Sequence, residues 1–128
     1  MQRGDWDAAI TECKGALQVT PTNAKIRAYL GMCLFRKNEF ALAAEEFRKA
    51  TTLDPNFWQA GTKLAQCLDR LRRHEEAYEV ARHWLRVMPA DHTLQGLVLG
   101  LEYQVRGNRQ EGWERTAGAS REIRFTRD

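Results

Sequence analysis

No apolar run in this 128-residue chain approaches the roughly 18–20 residues a helix needs to cross a bilayer. The opening MQRGDWDAAI also lacks the apolar stretch of a secretory signal, so a complete chain is expected in the cytoplasm. Cysteine is scarce and odd in number. Cys13, Cys33 and Cys67 show no CxxC spacing, which argues against a disulfide framework and a zinc site and leaves small buried packing roles. A dominant sign of charge is lacking: 20 Lys and Arg oppose 17 Asp and Glu, and a net +3 falls short of the dense basic patch of a nucleic-acid binder. No segment alternates apolar and polar for long enough to make a strand.

Catalytic patterns are missing too. There is no GxxxxGKS and no GxSxG, and Gly107-x4-Gly112 lacks the Lys-Ser that would follow it in a phosphate loop. His74, His83 and His92 stand nine residues apart, which puts helical neighbours on opposite faces rather than around one metal. The pairs Glu45-Glu46 and Glu75-Glu76 lie among Arg and Lys and read as solvated, ion-paired helix faces. No catalytic residue, metal ligand or cofactor is expected.

Proline is the most informative scarcity. Pro21, Pro55 and Pro89 are the only three, and they stand 34 residues apart both times. Between them the apolar pattern is helical, with Ile26, Leu30, Cys33 and Leu34 on one face, then Phe40, Ala43, Ala44, Phe47, Ala50 and Leu53. Asn38 suits the left-handed residue that ends a helix. In TLDPNFWQA, Pro55 stops one helix and Asn56 is expected to cap the next. Laying the blocks over one another aligns Leu30 with Leu64, Gly31 with Ala65, Cys33 with Cys67, Leu34 with Leu68 and Ala43 with Ala77. Trp6, Ala9 and Ala16 likewise fall on Phe40, Ala43 and Ala50. A fixed period of this length is the mark of a helical repeat array.

These residues resemble the tetratricopeptide repeat family, whose helix pairs carry W-x2-L-G-x2-Y, then A-x3-F, A and P. Leu30-Gly31, Leu34, Phe40, Ala43, Phe47, Ala50 and Pro55 match best. The next block keeps Leu64, Ala65, Leu68, Ala77 and Pro89, and carries Ala81 and Trp84 as an apparent exchange of volume between neighbouring core positions. The last block fits if one residue is inserted after Pro89, placing Gly96, Leu99-Gly100, Tyr103, Gly107 and Gly112 on signature places, with Thr116 in place of an aromatic.

The resemblance implies an all-α fold, a right-handed superhelical solenoid of antiparallel helix pairs with about three and a half repeats. Residues 1–120 form the array: 1–23 the second helix of a partial repeat, 24–57 and 58–91 full repeats, and 92–120 a divergent or capping repeat. Residues 121–128 form a tail.

The resemblance also implies a function: a non-enzymatic scaffold or adaptor that binds a peptide or helix of another protein in the concave groove lined by the first helix of each repeat. In family register the groove residues are Lys25, Tyr29, Met32, Phe35, Arg36, Lys63, Gln66 and Arg70, joined in the last repeat by Leu97 and Leu101. The cations suit an acidic segment or a chain terminus. However, the pattern by which some relatives clamp acidic chaperone C-termini is not met, because Ala28 and Met32 stand where Lys and Asn are required. The alternative is self-association through the terminal helices, or a structural module of a larger assembly or longer chain, since the lone helix 5–19 is expected to expose Trp6, Ile10, Cys13 and Leu17. RNA binding ranks third, because Lys and Arg are interleaved with Glu and a stacking platform is missing.

Overall fold

The prolines mark a turn built the same way three times. Asn23 N donates to Thr20 O at 3.2 Å, Phe57 N to Asp54 O at 3.0 Å and Asp91 N to Met88 O at 3.1 Å. Each proline takes the second place of its four-residue turn, where its fixed φ fits and no N–H is needed. The computed structural model describes residues 3–107. They form helices α1 (Arg3–Val19), α2 (Ala24–Arg36), α3 (Phe40–Leu53), α4 (Trp58–Arg70) and α5 (His74–Val87), followed by α6, described over 92–107. The expectations for Gly112, Thr116 and the tail 121–128 lie outside the described residues.

The turn inside each helix pair is equally periodic. Asn38 and Arg72 both have φ of 64°, and each is followed by a backbone bond reaching back over the helix end: Glu39 N to Leu34 O and Arg73 N to Leu68 O, both 2.9 Å. A left-handed residue with this bond satisfies carbonyls that a helix terminus leaves open. From α1 to α5, each helix packs on the next in the chain. Among the described residues there is no strand, and the fold is an all-α helical repeat.

Close approach is secured by small residues set against large ones. Ala43, Ala50, Ala65 and Ala77 have no exposed surface. A Cβ on Gly31 would stand 2.9 Å from Phe47 Cε1, and one on Gly61 would stand 2.2 Å from Trp84 Cε2. The second pair explains the departure seen in the third block: the room for Trp84 comes from Gly61 on the partner helix, across the pair, rather than from Ala81 alone.

Three other expectations need correction. Asn56 does not cap α4, whose N-cap is Phe57 with no side-chain bond; Asp54 Oδ1 instead accepts from Asn56 N at 3.1 Å. Ile10, Cys13 and Leu17 are buried, and only Trp6 of the four is partly open. Packing of α2 on α1 accounts for this, leaving an open cleft of about 580 Å³ between Ala8, Cys13 and Ala16 on one side and Ile26 and Tyr29 on the other.

Finally, no residue is inserted between Pro89 and α6. α2, α4 and α6 start at 24, 58 and 92, and Asp91 Oδ1 accepts from Leu94 N at 2.9 Å, as Asn23 Oδ1 accepts from Ile26 N at 3.0 Å. In this register Leu94, Leu101 and Val105 turn inward, whereas Leu99 and Tyr103 are 66% and 80% exposed.

The glycines separate by environment. Gly61→Ala should cost about 1–3 kcal/mol by overpacking against Trp84, and Trp84→Phe should relieve part of that cost. Around Gly96 and Gly100 nothing lies within 4 Å of an added Cβ. Alanine at either place should therefore stabilise α6 by about 0.5–1 kcal/mol. Urea midpoints for these variants check both signs.

The cysteines supply a second test. All three are free and buried, and burial pushes each thiol up, that of Cys67 to about 12 against the pull of Lys63 and Arg70. A thiol reagent at neutral pH should label none of them until denaturant is added. Above the ordinary thiol value of 9.0 the unfolded chain binds fewer protons than the folded one. Stability should therefore fall as pH rises from 9 towards 12, read as a lower melting temperature.

Candidate functional site

The first helix of each repeat has two kinds of surface. One stripe, Leu30, Cys33 and Leu34 in α2 and Leu64, Cys67 and Leu68 in α4, is packed away. The other carries the residues expected to meet a partner. Lys25, Arg36 and Arg70 are exposed, Tyr29 is 52% exposed, and Met32, Phe35, Lys63, Gln66 and Leu97 are half-buried. Leu101 does not belong with them. It is 2% exposed and joins the core cluster, because the register of α6 lies one residue away from the one that placed it on the groove.

With α6 in its observed register, the residues matching the outward stripe of α4 are Thr93, Gly96, Leu97, Gly100, Tyr103 and Gln104. All but Leu97 are exposed. A cavity of about 220 Å³ lies between α4 and α6, lined by Asp69, Gly96, Leu97, Gly100 and Gln104 beside Leu101. It marks where the two first helices face one another across an open trough. The signal for this register was Asp91, a cap residue 68 positions after Asn23.

Aromatic rings and cations organise the α2–α4 part of the site. Phe35 meets Phe40 edge-on, with centroids 5.2 Å apart. Lys63 Nζ stands 5.1 Å from the Phe35 centroid, and the Arg70 guanidinium stands 5.7 Å from Phe35 and 5.3 Å from Phe40. The Arg36 guanidinium lies 5.9 Å from the ring of Trp6. A cation at this distance from a ring face is held by the ring's quadrupole. Trp6 and Phe40 were read from the sequence as repeat packing only; their role beneath arginines was missed.

The one carboxylate on these stripes, Asp69, is already engaged: its Oδ1 lies 3.0 Å from His74 Nδ1. That contact also accounts for His74. His83 packs edge-on against its neighbour Trp84, centroids 4.9 Å apart, and His92 opens α6 at the surface. Among the described residues no group of three His, Cys, Asp or Glu side chains could hold a metal ion. No described helix is long and apolar enough to cross a membrane.

Comparison with known proteins bears on the family. A profile described as tetratricopeptide repeat matches residues 1–56 and again 38–91. The human peptidyl-prolyl cis-trans isomerase FKBP4 is 38% identical over 68 residues, which are 53% of this chain and 15% of that protein. The type IV pilus assembly protein PilF of Pseudomonas aeruginosa is 32% identical over 79 residues, 62% of this chain and 31% of PilF. The chain thus spans less than a third of the length of either relative. The solved first repeat domain of Spaghetti (RPAP3), bound to an HSP90 peptide, superposes with a TM-score of 0.76 at 19% identity, covering 80% of this chain and 82% of that one. That likeness speaks to the fold alone. With the repeat profile matched over residues 1–91, the chain belongs to the tetratricopeptide repeat family.

Proposed function

We propose that this chain is a non-enzymatic interaction module that holds a peptide or helix of another protein in the concave groove lined by α2, α4 and α6. The observation that carries the reading is the outward stripe of the first helices, where Tyr29, Met32, Phe35, Lys63, Gln66, Arg70 and Leu97 remain at least partly open. Aromatic, Met and Arg side chains are those that concentrate energy in interfaces. A structural neighbour of the same fold is bound to an HSP90 peptide, which supports peptide capture as the activity. The isomerase activity in the human relative's name belongs to a protein of which this chain spans 15%.

A chaperone tail fits this groove poorly. The places that would bind its terminal carboxylate hold Ala28, 9% exposed, and Met32, neither of which donates a hydrogen bond to an anion. The partner we propose is therefore held by apolar contacts near Tyr29, Met32 and Phe35 with cations beside them.

Peptides selected against the purified protein from a random displayed library provide the test. Their amide-exchange footprint should cover α2 and α4 and spare α3 and α5, and Tyr29→Ala/Arg70→Glu should weaken them by about tenfold or more, near 1.4 kcal/mol. Protection centred on α3 and α5, or equal binding by the double variant, would sink the reading.

A further inference from the structure

Two sets of cations stand out in this repeat array. Those at the helix-pair junctions are neutralised: Arg27 meets Glu46 at 3.0 Å, Arg48 and Arg73 both meet Glu76 at 2.8 Å, and Lys37 pairs with Asp7 and Glu39. Those on the outward stripe differ: among the described residues Lys25, Arg36, Lys63 and Arg70 form no ion pair, and Arg36, Lys63 and Arg70 lie over rings instead.

The two arginines repeat one device. Arg36 lies over Trp6 and Arg70 over Phe40, and both members of the second pair lie 34 residues after those of the first. Asp7, beside Trp6, is taken by Lys37, and Asp69, beside Arg70, faces His74. In the next repeat the equivalent residues are His74 and Gln104, so the row ends after two rungs.

We infer that Arg36 and Arg70 form a two-rung docking row for side-chain carboxylates, and that the partner is a segment with acidic residues internal to its chain. The inference rests on the groove reading above and goes further by fixing the partner's chemistry. A guanidinium lying on a ring keeps its planar N–H edge free, and that edge matches a carboxylate with two parallel hydrogen bonds. Holding the fork in place beforehand reduces the ordering that binding would otherwise require. Each rung stands on its own ring, supplied by the preceding repeat, which suits carboxylates spaced along a chain. A single terminal carboxylate would need donors where Ala28 and Met32 stand. Lys63, over Phe35, adds to the same field.

The test is fluorescence anisotropy with a labelled peptide rich in Glu and Asp, carrying one Leu and an amidated C-terminus. Its controls are the Gln/Asn counterpart and the same acidic peptide with a free C-terminus. The acidic peptide should bind more tightly than its amide counterpart by about tenfold or more and weaken with added salt, and the free terminus should change little. Arg36→Gln/Arg70→Gln should remove that advantage, and Arg36→Lys/Arg70→Lys should recover only part of it, because an ammonium cannot fork. Arg86→Gln, an exposed arginine on α5, should leave binding unchanged. Melting curves establish that the variants are folded.

The inference fails if acidic and amide peptides bind alike, if the acidic peptide does not bind, if the double glutamine variant binds as wild type does, or if Arg86→Gln loses as much. Preference for the free terminus would point to end capture and overturn it as well. These failures are separable from that of the groove reading. Neutral peptides footprinting on α2 and α4 would leave the groove standing without the carboxylate row.

Discussion

Every other feature of this molecule depends on returning the chain, after each helix pair, to the same position beside its neighbour. No single helix here can bury its apolar stripe alone, so each is stable only while the next one covers it. The return is enforced at both ends of the pair, by the proline turn closed between residues 20 and 23, 54 and 57, and 88 and 91, and by the left-handed residues Asn38 and Arg72. Side-chain volume must then be complementary across the pair. Phe47 against Gly31 and Trp84 against Gly61 are two solutions: in each, the large ring comes from the second helix and the gap from the first. Bulk at Trp84 therefore goes with its absence at Gly61, on the other helix of the pair.

The same constraint divides the polar residues. Within the repeat 24–57, Arg27 joins Glu46 and also donates to Pro21 O at 3.1 and 3.3 Å, tying the preceding turn to α3. With both side chains largely covered, this contact is screened less than an ordinary surface pair. Cations at such junctions hold register. On the outward stripe of the first helices, Arg36, Lys63 and Arg70 lie over rings instead. The division is physical: a charge that joins two elements of the same chain is committed, whereas one resting on a ring remains available.

Most of the fold was legible because burial is periodic. Alanines at 9, 43 and 77 and prolines at 21, 55 and 89 must recur wherever backbones approach or helices end, so overlaying the blocks finds them. The last repeat was misread for the converse reason. Leu99-Gly100 and Tyr103 match the family signature by residue type, yet a leucine and a tyrosine can occupy either face of a helix, and here both lie at the surface. Asp91 was the better guide, because a side-chain cap works only at one position relative to the helix it starts. Type alone shifts α6 by one residue and brings the buried Leu101 onto the groove. Gly61 went unremarked because its meaning lies in Trp84, 23 residues away on another helix.

The candidate site was only partly legible, and the reason is general. A residue kept for a partner is defined by contacts it does not make within its own chain, so periodicity, which reports burial, reads it as noise. Tyr29 and Arg70 are placed on the outward face only because the residues around them pack in a known register. The arginine row is different, because it does have an internal contact. Trp6 precedes Arg36 by the same interval as Phe40 precedes Arg70, and that spacing, an aromatic at the start of one second helix and an arginine at the end of the next first helix, is written in the chain. It becomes readable once the turn between repeats is known to bring those two ends together. A recurring spacing that crosses a repeat boundary reports contact between repeats, and here it picks out Arg36 and Arg70, each held over a ring of the preceding repeat.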